Sequence, residues 1–284
     1  MREVSSWGRL SHAPHDVVEL ADRTAIAHAL AAGGPGIAHG LGRSYGDEAL
    51  NPNGRLFSTR GLDKFIAFDQ QTGRLTCEAG VVLRDIQRLV LPRGFSLPVV
   101  PGTQFVTMGG AIANDVHGKN HHHTGTFGDH VVRLELVRST GDSIVCGRDL
   151  NPDWFAATVG GLGLTGLIVQ AELQLKRSPG PWLDAETVPY AGLDEFFALS
   201  NEGLNEWEHT VSWIDCTASD LKGLFMRGRP AADQSRAVSQ GFNLVMPFTP
   251  PLSLVNRLSL KPLNATYYAL GVDRKSTRLN SSHT

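Results

Sequence analysis

The chain has 284 residues, 41% of them apolar and 19% charged, and a formal net charge of −2. That is room for one large or two ordinary globular domains, without the basic excess that a phosphate backbone demands, so nucleic acid is not an expected partner. Cys77, Cys146 and Cys216 are odd in number and contain no Cys-x-x-Cys pair; this argues against a disulfide framework or zinc knuckle and fits reduced thiols in the cytoplasm.

No apolar stretch follows Arg2 and Glu3, and longer apolar runs are broken by Pro, Gly or charge. Neither a signal peptide nor a spanning helix is expected, and any membrane contact would be peripheral. Val17–Leu20 reads as a strand, Asp22–Ala32 as a helix stopped by Gly33-Gly34, and Gly36–His39 as a returning strand. Phe65–Asp69 and Arg74–Ala79 flank Gln70-Gln71-Thr72-Gly73 as a hairpin, and Val82–Leu91 is a helix ended by Pro92 and Gly94. Val132, Leu134 and Leu136 begin a second hairpin that returns through Ser143–Cys146. Leu167, Val169, Ala171, Leu173 and Leu175 alternate with polar residues, which predicts one long strand with a single buried face. Ser178-Pro179-Gly180-Pro181 breaks the pattern and marks a domain boundary. Beyond it a helix is expected near Leu193–Leu199 and a strand near Thr210–Ile214.

Phe242–Val255 is apolar but interrupted by prolines, and reads either as the edge of a second core or as a loop beside a lipid chain. Residues 273–284 are rich in Ser, Thr, Arg and Asn without apolar spacing. They read either as a frayed terminus or as appended, non-native sequence.

The glycines, 31 in all, concentrate in residues 33–46, 102–128 and 160–166. Gly161-Leu162-Gly163-Leu164-Thr165-Gly166 matches a dinucleotide fingerprint letter for letter, but a strand pattern follows it where a Rossmann loop must open a helix. Gly40-Leu41-Gly42-Arg43-Ser44-Tyr45-Gly46-Asp47 can converge successive N–H groups on an anion such as a diphosphate; alone, it would pass for a Gly-rich surface turn. The second cluster, Thr107-Met108-Gly109-Gly110-Ala111-Ile112-Ala113-Asn114-Asp115-Val116-His117-Gly118-Lys119-Asn120, can lay bare backbone along a flat ring, with His117, Lys119 and Asn120 adding polar groups. His121-His122-His123 has no carboxylate at ligand spacing within the run, so loop histidines are expected there and no metal. No G-x-S-x-G elbow or Walker loop occurs.

Taken in order, the 40–47 loop, Pro101-Gly102-Thr103, Gly109–Ala113, His117–His122, Phe127-Gly128-Asp129-His130-Val131 and Ala157–Gly161 resemble the vanillyl-alcohol-oxidase-type (PCMH-type) FAD-binding oxidoreductases. Within that family the nearest likeness is to oxidases of prenylphosphoryl pentoses, with sugar-lactone and alditol oxidases using oxygen as the alternative. The resemblance covers roughly the first 270 residues and weakens after Pro181.

It implies an α+β fold: an FAD-binding domain of two α/β subdomains over residues 1–177, then an incomplete substrate (cap) domain with an antiparallel sheet over 178–272. Carried over by motif, the cofactor residues are Ala38, His39, Gly40, Leu41, Gly42, Arg43, Ser44, Tyr45, Gly46, Asp47, Glu48, Gly102, Thr107, Met108, Gly109, Gly110, Asn114, Asp115, Val116, His117 and Ile168. Tyr45, His117, Lys119 and Trp213 would line the substrate side. Related lactone and alditol oxidases attach FAD through a His where this chain has Arg43, so non-covalent FAD is implied. The expected reaction is hydride transfer from a sugar carbinol to flavin N5. The expected partners are a sugar or prenylphosphoryl-sugar substrate and a second reductase subunit. Groups nearest the reacting proton in the family include residues beyond Thr284, which leaves a flavin-binding remnant without activity as a further reading.

Overall fold

The computed structural model describes residues 1–234, 255, 256 and 258–272, with the backbone of 276–280. Apart from Val255, the run Phe242–Val255 lies outside the described residues, as do 273–275 and 281–284. The chain divides into two compact units, Met1–Ser178 and Pro179–Thr284.

The first unit begins with β1 (Arg2–Val4), β2 (Ala13–Glu19), α1 (Ile26–Ala31), β3 (Gly36–His39) and β4 (Arg55–Ser58). These strands form a sheet in the order β1-β2-β4-β3, with β4 parallel to both β2 and β3. Next come β5 (Phe65–Asp69), β6 (Arg74–Glu78), α2 (Leu83–Val90), β7 (Phe95–Ser96), α3 (Met108–Ala113) and α4 (His121–Thr124). The unit ends with β8 (Val131–Val137), β9 (Ser143–Gly147), α5 (Pro152–Thr158), β10 (Leu167–Gln174) and β11 (Lys176–Arg177). β5-β6-β10-β8-β9 make an antiparallel sheet, and β7 pairs with β11.

Local chemistry accounts for these boundaries. Asp22 accepts from Thr24 N–H (2.9 Å) and opens a 3-10 turn, Arg23–Ala25, that leads into α1. The helix is therefore shorter than the one read over Asp22–Ala32. Leu83, Ile86, Gln87 and Val90 bury one face of α2, and Gly94 at φ 78° takes the left-handed conformation that ends the following turn. At the β5–β6 hairpin Asp69 collects Gln71 N–H and the Thr72 hydroxyl, and Gly73 sits at φ 74°.

β10 departs from the single buried face read in the sequence. Its register against β8 shifts between Ile168 and Gln170, and an irregularity of this kind reverses the side-chain parity. Leu167 and Val169 pack with Leu20, Ile26, Phe57 and Leu62 on the first sheet's side. Ile168, Ala171, Leu173 and Leu175 join the larger core with α2 and α3. One strand thus serves two cores.

The second cluster, expected as bare loop, contains α3, and the His run contains α4. Tertiary bonds override poor helix propensity here: Met108 N–H donates to Val81 O and Gly109 N–H to Ala79 O, each at 2.8 Å.

In the second unit β12 (Trp182–Tyr190), α6 (Gly192–Gly203), β13 (His209–Ile214), β14 (Gly223–Pro230), α7 (Leu260–Val272) and β15 (Ser276–Asn280) supply an antiparallel sheet in the order β13-β14-β12-β15. β15 falls where the sequence carries no strand period; main-chain pairing with β12 needs none. Among the described residues no helix is long and apolar enough to cross a membrane.

Glu78 closes β6 with a side chain 2% exposed, paired with Arg23 Nε at 3.1 Å and accepting Lys64 N–H at 2.9 Å. Glu78→Ala strands both donors, although Arg23 is partly solvated. It should cost about 2–3 kcal/mol. Glu78→Gln, which keeps an acceptor for Lys64, should cost less; urea unfolding of the two variants checks the order.

Candidate functional site

The first unit contains a cavity of about 710 Å³, within the ~300–1,000 Å³ usual for small-molecule sites. Its walls come from the loop after β3, the residues following β4 and β6, the 101–107 segment with α3, and the turn that enters β10. These pieces are far apart in sequence and are stitched together by main chain. Thr107 caps α3, its Oγ1 accepting Gly110 N–H at 3.2 Å. Gly160 N–H reaches Ile112 O at 3.0 Å and Leu162 N–H reaches Ala113 O at 2.8 Å, which ties the 160–166 turn to the far end of α3.

Glycine is required where these segments touch. A Cβ on Gly40 would stand 2.5 Å from Thr107 Oγ1, and one on Gly109 would stand 3.0 Å from Ala79 Cβ. Gly42 takes φ 60°, where a side chain is strained. Gly102 is the converse case: a Cβ there meets nothing within 4 Å and would project into open space at the cavity wall.

The N–H groups of Leu41, Gly42, Arg43 and Ser44 donate to no acceptor among the described residues. Four successive free donors on a cavity wall can serve an anion as a nest. The wall carries one cation, Arg43, and one carboxylate, Glu48, so an anion there would be held mainly by main-chain dipoles. His39 Nδ1 lies 3.0 Å from Ala49 O as a hydrogen-bonded pair, and burial lowers its pKa below the usual histidine value, favouring the neutral ring.

Of the residues expected from sequence, Ala38, His39, Gly40, Leu41, Gly42, Arg43, Ser44, Tyr45, Glu48, Gly102, Thr107, Gly109, Gly110, Asn114, Val116 and Ile168 line this cavity. The others stand elsewhere. Gly46 and Asp47 lie off the wall, with Asp47 bonded to Ser6 and Ser11. Met108 is fully buried in the core, leaving only its backbone available. Asp115 accepts Gly128 N–H at 2.8 Å. His117 is exposed and stands edge-on to His121 at 5.8 Å. Lys119 is half-buried, and that burial lowers its pKa. Trp213 belongs to the second unit, 4.9 Å from the Tyr267 ring. Sequence reasoning missed Trp7, Thr59, Ala79, Phe105 and Leu162 on the wall. Leu162 sits inside the Rossmann-like string that was set aside; the other four sit in no motif, and only the fold could have placed them. Gly163 and Gly166, set aside with the Rossmann-like string, line it too.

Comparison with known proteins agrees with this geometry. Residues 13–147 match the family model described as an FAD binding domain. The chain is 34% identical to decaprenylphosphoryl-beta-D-ribose oxidase of Mycolicibacterium smegmatis, across 94% of this chain and 62% of that protein. It is 27% identical to L-gulonolactone oxidase of Scyliorhinus torazame, across 48% of this chain and 30% of the relative. With cytokinin dehydrogenase 7 of Oryza sativa the figures are 26%, 63% and 36%. The chain thus spans less than two thirds of each of these relatives. The cavity fits the cofactor named by the family model: bare backbone, a free donor row for a diphosphate, and apolar walls from Ala79, Val106 and Ile168 for a flat ring.

Gly102→Leu tests the cavity directly. The side chain has open space, so the melting temperature should stay close to the parent's while FAD uptake falls at least tenfold, the equivalent of ~1.4 kcal/mol. Flavin fluorescence titration beside a thermal melt separates the two effects.

Proposed function

We propose, from the match of residues 13–147 to the family model described as an FAD binding domain, that this chain is the flavin-holding portion of an oxidoreductase that binds FAD without a covalent bond and oxidises a sugar carbinol, a prenylphosphoryl pentose being the favoured substrate. The observation that carries the reading is the row of N–H donors from Leu41 to Ser44, free among the described residues, on the wall of a glycine-rich cavity. On this reading residues 1–177 are the flavin domain and 178–272 the first part of a substrate domain. The prenyl-sugar reading is favoured over a lactone or alditol oxidase because the likeness to the ribose oxidase runs along 94% of the chain and that to the lactone oxidase along 48%.

Bound FAD supplies the hydride acceptor for the carbinol carbon. The chain's own residues hold and shield it. The Leu41–Ser44 donors and Arg43 take the diphosphate, while Gly109, Gly110 and Ile168 give the ring a flat wall. Asn114 and Val116 extend that wall, and Met108 and Asp115 support it from behind.

Non-covalent attachment agrees with the nucleophiles at hand. No cysteine lines the cavity. Burial pushes the Cys77 thiol up to about 12 and the Cys146 thiol up to about 11, which keeps both unreactive. The histidine on the wall, His39, has Nδ1 occupied by Ala49 O.

Tyr45, His117 and Lys119 are assigned to the substrate side, with Trp213 as an aromatic of the substrate domain. Lys119 suits a phosphorylated substrate. Burial disfavours its ammonium, and an incoming phosphate would return the missing counter-charge and raise its pKa again. A cytoplasmic site of action, peripheral membrane contact through the prenyl chain and a second reductase subunit complete the proposal.

Acid precipitation of the yellow protein should leave the colour in the supernatant; colour in the pellet would overturn non-covalent binding. Anaerobic addition of a prenylphosphoryl pentose should bleach the flavin, whereas strong peroxide production from free alditols under air would favour the lactone or alditol oxidase. Lys119→Met should leave the flavin spectrum unchanged and weaken the spectral response to the phosphorylated sugar about tenfold, a loss of ~1.4 kcal/mol.

A further inference from the structure

We propose that the connection between β1 and β2, residues 5–12, is a strap belonging to the cofactor site, which clamps the 40–48 loop and keeps its free N–H groups aimed into the cavity. The inference rests on the flavin reading above and adds to that site a segment lying outside the matched residues 13–147.

The clamp is built around Asp47. Its two carboxylate oxygens accept separate hydroxyls, Ser6 Oγ on Oδ1 and Ser11 Oγ on Oδ2, each at 2.7 Å. One side chain of the cofactor loop thereby grips both ends of the strap. Those hydroxyls also hold the Asp47 carboxyl below the usual aspartate range. Between them Trp7 N–H donates to Ser44 O at 3.1 Å. Gly8 lies so close to the Tyr45 carbonyl that a Cβ would collide with it. The strap cannot drift, because β1 and β2 pair antiparallel with Val4 opposite Ala13 and Arg2 opposite His15.

The strap also reaches the cavity itself. Trp7 lines the wall while 58% exposed, and the Arg43 guanidinium lies 5.7 Å from its ring centroid. Arg43 Nε donates onward to Phe105 O at 3.3 Å. Strap, cofactor loop and 101–107 segment are therefore joined through one arginine at the cavity wall.

The physical need is clear from the loop. Residues 41–44 make no helix or ladder bond of their own, and a segment with free donors and glycine at positive φ loses its geometry readily. A clamp made before the ligand arrives lowers the ordering cost of binding. Asp47, Ser6, Ser11 and Trp7 are on this account positioning residues for FAD.

The test uses the full chain and FAD. Ser6→Ala with Ser11→Ala removes both donors and leaves Asp47 in place; Trp7→Leu, at an exposed position, perturbs the strap without touching the carboxylate. Both variants should release FAD about tenfold faster, which corresponds to ~1.4 kcal/mol, and in the cofactor-free protein amide exchange should accelerate across residues 40–48 but not in β8 and β10. A dissociation rate and a 40–48 exchange equal to the parent's, in a parent that does bind FAD, would overturn the strap alone. A parent that takes up no FAD would overturn the flavin reading and the strap with it.

Discussion

Among the described residues four consecutive main-chain donors, Leu41 to Ser44, are left without an acceptor, and the rest of the first unit is arranged so that they can be. A folded chain normally satisfies its N–H groups, because an unpaired one inside the protein costs free energy. Here the partners are withheld by geometry. Gly40 abuts Thr107, so a side chain at the head of the loop would clash there. Gly42 takes φ 60°, where a side chain is strained. An anion of the right reach restores what the fold withholds, and this is a stronger pointer to a ligand than the glycine content taken alone.

Holding such a loop open falls largely to side chains that do not line the cavity. β10 is central, because the irregularity near Val169 lets one strand feed two cores. Leu167 and Val169 lock it to the first sheet, from which the donor loop springs. Ile168 turns the other way and lines the cavity. Without that change of parity Ile168 would face away from the core that Ala171, Leu173 and Leu175 build, and the wall would lack its apolar floor. The buried Glu78, which closes β6, joins that strand to Arg23 in the turn before α1 and fixes the same junction from the side.

Much of this was legible in the sequence, for identifiable reasons. β3 and β5 were read at their observed ends because glycine or a turn run punctuates them. The 40–48 and 107–116 segments stood out because close backbone approach leaves glycine as its trace. What escaped has equally physical causes. α3 begins Met108-Gly109-Gly110, a poor helix by propensity, and exists because Val81 and Ala79 carbonyls receive its first donors. The His run carries no helical period, so α4 was read as loop. The irregularity in β10 leaves no mark in an alternating string. β12 is half-buried along most of its length and shows no two-residue period to find. Trp7 reaches the cavity only because a β1–β2 pairing three residues long returns the chain past the donor loop.

The Gly161–Gly166 string shows why geometry decides where letters do not. In a Rossmann unit the glycines deliver a helix N-terminus to the pyrophosphate. Here the same spacing runs into β10, and the glycines solve packing problems instead: a Cβ on Gly161 would strike the Ala157 carbonyl, and one on Gly166, at φ 149°, would stand 2.7 Å from Val137 O. The turn lines the cavity, yet its Leu164 N–H is spent within the turn on Gly161 O and its Leu162 N–H on Ala113 O. A donor already engaged contributes little to an incoming anion. On the flavin reading the diphosphate is assigned to residues 41–44, where four successive N–H groups are unspent among the described residues, although that sequence matches the dinucleotide fingerprint less well.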